Sequence, residues 1–229
     1  MSRLVTVAHG TRTTAANAVA REVTEAAAAA LGVPGTAAYV ELHPPLLTDV
    51  MAANHDEAVV VPMLLSTGYH VRHDVPEAVA LSSAPVALTP ALGPHPLLAA
   101  AQVERLREAG AEPGQPVTMV AAGSRDVLTG SDLCVARGLL AAAWGGDVRL
   151  AVLTGPGRRP ADVVRSGDAV SPYLLAGGFF ADKAERDCRA AGAALVAGVL
   201  GPHPRVVDLV VERVRAALAP AGAPAPARL

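Results

Sequence analysis

Leu92-Gly93-Pro94-His95-Pro96 recurs 108 residues later as Leu200-Gly201-Pro202-His203-Pro204, and each copy runs into a helical stretch that reaches Val-Glu-Arg, at Val103-Glu104-Arg105 and Val211-Glu212-Arg213. Upstream, residues 62–70 (PMLLSTGYH) align with 172–180 (PYLLAGGFF) at an offset of 110, and residues 5–12 (VTVAHGTR) align with 117–125 (VTMVAAGSR) with one residue inserted. Three matches in one order mark an internal duplication, which must be recognised before any element is assigned. The 229 residues therefore divide into two units joined at the turn-rich run Gly110-Ala111-Glu112-Pro113-Gly114-Gln115-Pro116. The expected domains are 1–112 and 113–218. A Pro/Ala-rich tail, 219–229, is expected to be disordered.

Within each unit short Val/Leu-rich runs alternate with Ala-rich helical stretches. In the first half the expected strands are 4–8, 37–42, 58–65 and 86–89, with a helix over 17–31. Continuous apolar runs of this length suit strands buried on both faces, and a β-α-β-α order implies a parallel sheet flanked by helices. The expected fold class is α/β, two tandem flavodoxin-like domains, with ligands bound beyond the carboxyl ends of the strands.

Composition narrows the function. A hydrophobic fraction of 52% with 17% charged residues supports a packed core and excludes general disorder. A net charge of -2 argues against a phosphate-backbone partner, so no nucleic acid is expected. Apolar residues are spread without a run long enough to span a bilayer, and His9 and Arg12 interrupt the N-terminal run before a signal-peptide core could form. No membrane association is expected. Cys134 and Cys188 make no CxxC spacing, which fits a reducing, cytoplasmic setting. There is no GxGxxG or GxxxxGK[ST] motif, and no G-x-S-x-G elbow surrounds Ser66 or Ser124.

The residues that follow the strands carry the chemistry. His9-Gly10-Thr11-Arg12 follows the first strand, Glu41-Leu42-His43-Pro44 the second, and Ser66-Thr67-Gly68-Tyr69-His70-Val71-Arg72-His73-Asp74 the third. In a parallel sheet these loops share one edge. The duplication supplies an internal control: His9 aligns with Ala122 and His70 with Phe180, whereas His95 and His203 occur in both copies. A histidine needed by the fold should be duplicated, so His95 and His203 read as structural, while His9 and His70 read as chemistry confined to one half. His73 aligns with Lys183, a cationic position in both halves.

HGTR, YVELHPP, PMLLSTGYHVRHDVP and LGPHP together resemble the class II tetrapyrrole chelatases, specifically the long, two-domain sirohydrochlorin chelatases. The resemblance covers nearly the whole chain. Where the family commonly has Ser-Arg-Asp, this sequence has Thr11-Arg12-Thr13. The resemblance implies a metal-inserting lyase that places a divalent metal, Fe2+ for sirohaem or Co2+ for cobalamin, into sirohydrochlorin in a cleft between the two domains. Its metal ligands map to His9 and His70, and its acidic position after the second strand to Glu41.

These roles agree with elementary chemistry. Neutral imidazoles bind Fe2+ and Co2+ well yet release them, unlike a closed thiolate site, and Glu41 or a histidine can accept pyrrole protons. The substrate is rich in carboxylates, so Arg12, Arg72, Arg125 and Lys183 are candidate binding groups by position, with Ser66, Thr67, Gly68 and Tyr69 in the contacting loop. No organic cofactor is expected; the divalent metal, Fe2+, Co2+ or Ni2+, is a substrate. A monomer is expected because both walls of the cleft lie in one chain. The alternatives are a cobalt or nickel chelatase of the same family and a non-catalytic tetrapyrrole or metal carrier using the same cleft.

Overall fold

The computed structural model describes residues 3–219; the expected disorder of the tail beyond Ala219 lies outside the described residues. The first half runs β1 (Arg3–Ala8), α1 (Thr14–Leu31), β2 (Gly35–Tyr39), α2 (Leu47–Ala52), β3 (Ala58–Pro62), α3 (Tyr69–Arg72), α4 (Asp74–Val79), β4 (Val86–Leu88) and α5 (Pro96–Glu108). The second runs β5 (Val117–Ala121), α6 (Val127–Trp144), β6 (Val148–Val152), α7 (Pro160–Val163), β7 (Ala169–Tyr173), α8 (Phe179–Ala190), β8 (Leu195–Val196) and α9 (Pro204–Leu218). Each half builds a four-stranded parallel sheet, ordered β2-β1-β3-β4 and β6-β5-β7-β8, so the fold is the expected α/β class. β3, β5 and β7 are buried along their whole length, which is why they read as unbroken apolar runs rather than alternating ones.

Two strands end earlier than the apolar runs suggest, at Tyr39 and Pro62. The ladder outlasts them: Val40 N–H donates to the Ala8 carbonyl at 2.9 Å, Glu41 N–H to the His9 carbonyl at 3.1 Å, and Met63 N–H to the Val7 carbonyl at 2.8 Å. Beyond that the chain turns away from the sheet, and Leu64 and Leu65 line a cavity instead of extending the strand.

The last helix of each half packs across the join. α9 lies against α1 and β3 of the first half, and α5 against β7 of the second. α1, α5, α6 and α9 thus form one inner layer between the sheets, and a single apolar cluster runs from Leu4 and Val59 through Leu98 and Leu106 to Met119, Leu140 and Leu209. Separate clusters cover the outer faces, around Met51 and Val75 in the first half and Val163 and Cys188 in the second.

The repeated motif makes this exchange specific. His95 and His203 cap α5 and α9, accepting at Nδ1 from Leu97 N–H (3.3 Å) and Arg205 N–H (3.1 Å), each with proline in the first turn. The Glu-Arg pair of each copy then engages the other copy. Arg105 donates to the Leu200 carbonyl from Nε (3.2 Å) and Nη2 (3.0 Å), while Arg213 donates to the carbonyls of Ala91 (3.2 Å) and Leu92 (3.3 Å). Glu104 meets His203 at 3.2 Å and Glu212 meets His95 at 3.5 Å. The structural reading of both histidines follows from this clasp.

Among the described residues one helix, α6, is long and apolar enough on average to cross a membrane. Here it packs against α5 and β6, burying Leu133, Ala136 and Leu140, and its Asp132 and Arg137 both hydrogen-bond within the protein.

Candidate metal centre

The turn after β1 is built by Gly10. Its φ is +94°, and a Cβ there would stand 1.9 Å from the Glu41 carbonyl oxygen, so only glycine lets the first and second strand ends approach. The same construction recurs at Gly123, with φ +81° and the Thr154 carbonyl 2.2 Å from a notional Cβ. That correspondence pairs His9 with Ala122 and Glu41 with Thr154. α3 and α8 both start after a glycine, Gly68 and Gly178, which pairs His70 with Phe180.

His9, Glu41 and His70 converge, each offering a ligand atom within 4.8 Å of the others. His9 Nε2 lies 3.4 Å from Glu41 Oε1, and the two imidazole centroids are 4.9 Å apart, tilted by 46°. Partial burial, and then the neighbouring His70, lower the His9 pKa from its ordinary value against the opposing pull of Glu41. At neutral pH His9 is therefore unprotonated. His70 Nδ1 is hydrogen-bonded to Asp74, which orients the ring and leaves its other nitrogen for a ligand role. Asp74 was not singled out from the sequence, although its position four residues after His70 is the available signal.

The two histidines of this cluster line a cavity of about 850 Å3 to which both halves contribute. The first half contributes His9, Arg12, Leu65, Ser66, Gly68, Tyr69 and His70; the second contributes Ser124, Leu133, Leu174, Leu175, Phe179 and Phe180. Tyr69 and Phe179 are largely exposed, at 59% and 70%, so the cavity carries an uncovered aromatic surface that the low aromatic content does not suggest. Thr67 lies in the same loop with its N–H turned to Asp132. The cationic candidates separate. Arg12 lines the cavity, Arg72 reaches across to Asp126, and Lys183 pairs with Asp187 on its own helix at 2.6 Å, outside the cavity lining. Arg125 is exposed beside Ser124 and does not line the cavity. His73 stacks on Tyr69 at 4.5 Å and His43 packs edge-on against Tyr39 at 4.8 Å.

Two parallel four-stranded sheets closing on one cavity form the chelatase architecture. SirB from Bacillus subtilis with Fe3+ superposes with a TM-score of 0.80 at 24% identity over 96% of each chain. The sirohydrochlorin chelatase SirB from Bacillus subtilis subspecies spizizenii in complex with cobalt gives 0.78 at 22% over 95% of each. CbiX, described as the terminal enzyme for biosynthesis of sirohaem in denitrifying bacteria, gives 0.69 at 21%, over 95% of this chain and all of that one. Identities this low establish the shared fold. The CbiX family model matches residues 3–109, most of the first half. A search of curated protein sequences found no match.

Proposed function

We propose that this protein is a sirohydrochlorin chelatase, a lyase that inserts a divalent metal, Fe2+ foremost, into a carboxylate-rich tetrapyrrole. The observation that carries the reading is the cluster of His9, Glu41 and His70, whose two histidines stand on the wall of a cavity large enough for a macrocycle. In this reading His9 and His70 hold the metal as neutral imidazoles, and the metal is a substrate, so partial exposure of the site suits its delivery and release. Metallation also has to remove two pyrrole protons. Glu41, 3.4 Å from His9, is the nearby carboxylate to accept them. Tyr69, Phe179 and Phe180 offer exposed aromatic surface to the flat macrocycle, and Arg12, in the cavity lining, meets its carboxylates, with Arg72, Arg125 and Lys183, outside that lining, as secondary contacts.

The SirB structures named above, with Fe3+ and with cobalt, support a divalent or related transition metal and do not choose between iron and cobalt. Irving-Williams ordering favours later metals on affinity, so the metal inserted depends on availability rather than on the ligands alone. The protein acts as a cytoplasmic monomer whose domains divide near residue 112, consistent with the free Cys134 and Cys188 and with a cavity walled by one chain.

The test is absorbance-monitored, anaerobic metallation of sirohydrochlorin with Fe2+, Co2+ and Ni2+. Multiple turnovers above the spontaneous rate are expected, falling by at least about 100-fold in His9→Ala and His70→Ala with little loss of thermal stability. A reaction that stops at one equivalent would mark a carrier, and near-normal turnover in the double variant would remove the histidines from the mechanism.

A further inference from the structure

The loop that delivers His70, residues 65–72, is held chiefly by groups of the other half. Tyr173 Oη donates to the Leu65 carbonyl at 2.9 Å, Asp132 Oδ2 accepts from Thr67 N–H at 2.6 Å, and Asp126 Oδ2 accepts from the Arg72 guanidinium. The first contact is built in. Tyr173 is 3% exposed, and a Cβ on Gly93 would stand 2.2 Å from the Leu65 carbonyl oxygen and 2.3 Å from Tyr173 Oη, so the glycine of the first LGPHP copy makes room for this hydrogen bond. Gly201, its counterpart in the second copy, meets no backbone or hydroxyl so closely, its nearest neighbour being Arg105 Nη2 at 3.3 Å. Burial, aided by the negative charge of Asp132, pushes the Tyr173 phenol far above its ordinary pKa, so the hydroxyl remains a donor.

These groups follow the asymmetry of the site in reverse. By strand register and helix start, Tyr173 corresponds to Met63, Asp132 to Val19 and Asp126 to Thr13. The half that lacks imidazoles has the polar groups that hold the other half's loop, and at the buried Tyr173 position and the half-buried Asp132 position the half with imidazoles has apolar residues, Met63 and Val19, instead. A purely structural clasp would have no reason to favour one direction, and the LGPHP clasp does not: its Glu-Arg pairs work both ways.

We propose that Tyr173 and Asp132, seconded by Asp126, are positioning residues that hold the 65–72 loop so that His70 faces His9 at metal-binding distance. This rests on the reading of His9 and His70 as metal ligands. The second half is then more than an opposite wall, because it sets the geometry of the metal site without touching the metal.

The test is titration of the tetrapyrrole-free protein with Co2+, read by visible ligand-field absorption, alongside thermal unfolding. Tyr173→Phe and Asp132→Ala should each weaken Co2+ binding by about tenfold and alter the band shape. Asp132→Asn, which still presents an acceptor to Thr67 N–H, should restore most of the affinity. Tyr173→Phe keeps the buried ring, so folding survives and the binding loss is interpretable. Unchanged Co2+ affinity and spectrum in both deletions, while His70→Ala abolishes binding, would overturn the positioning role and leave the metal site standing. An Asp132→Asn variant as weak as Asp132→Ala would also overturn it, since charge rather than loop geometry would then matter. Intact Co2+ binding in His70→Ala would instead overturn the metal reading, and positioning with it.

Discussion

Arg213→Met tests whether the two halves are one folding unit. The guanidinium comes from α9, at the end of the second half, and donates to the carbonyls of Ala91 and Leu92 in the first, 6% and 0% exposed. Methionine keeps an apolar stem but orphans both buried carbonyls. At about 1–3 kcal/mol for each unsatisfied group, and with some relief from no longer burying a cation, the loss is about 2–4 kcal/mol. Burial already lowers the Arg213 pKa, which is that relief in another form. For a chain of this size each kcal/mol moves Tm by about 2–4 °C, so Tm should fall by roughly 4–16 °C. The assay is urea unfolding followed by far-UV circular dichroism and by fluorescence of Trp144, the single tryptophan, which sits in the second half and donates to the Gln115 carbonyl. Because α5 and α9 are exchanged, a lesion among first-half carbonyls must shift the Trp144 transition together with the dichroism. A loss below about 0.5 kcal/mol, within the usual surface range, or a Trp144 transition that stays put while the dichroism moves, would refute the exchanged-helix account.

Arg12→Ala should raise KM for the tetrapyrrole more than it lowers kcat, since Arg12 lines the cavity, while Lys183→Ala should leave both nearly unchanged because that ammonium is already paired with Asp187; steady-state kinetics decides. Phe180→His, which restores the aligned imidazole, should not raise turnover in the same assay, because Thr154 and not a carboxylate occupies the position matching Glu41. Metal binding should fall on acidification, because only neutral imidazoles ligate, and the depressed pKa of His9 keeps that residue neutral to lower pH than an ordinary imidazole; Co2+ titrations from pH 7.5 down to 5 on folded protein measure it, and an affinity unchanged down to pH 5 would contradict the assignment. Native labelling with a maleimide should modify exposed Cys134 and spare Cys188, whose thiol burial pushes up to about 12, until denaturant is added; mass spectrometry distinguishes the two sites.

Much of the architecture was legible because it depends on local pattern. Apolar runs of strand length, a recurring LGPHP and glycines after the strands are properties of short segments, and they indicated two α/β units and the loops that follow their strands. The same applied to the candidate ligands. Parallel strands put the residues after them on one edge, and the loss of imidazole at Ala122 and Phe180 separated His9 and His70 from the duplicated histidines that cap helices and clasp the two halves. What the sequence did not contain was the choice of partner. α5 and α9 are amphipathic helices facing two sheets of the same strand order, and nothing in a hydrophobic period says which sheet a helix will cover. That choice was made by long-range contacts, Arg105 with Leu200 and Arg213 with Leu92, between residues far apart in the chain. The fate of each charge was decided in the same way: Lys183 and Arg12 look alike in sequence, yet one is neutralised a helical turn away at Asp187 while the other lines the cavity. The sequence by itself determined which residues could ligate a metal; only the tertiary structure decided, through Tyr173 and Asp132, which half holds the His70 loop, because hydrogen bonds to a loop carbonyl and a loop N–H leave no periodic trace in the chain that makes them.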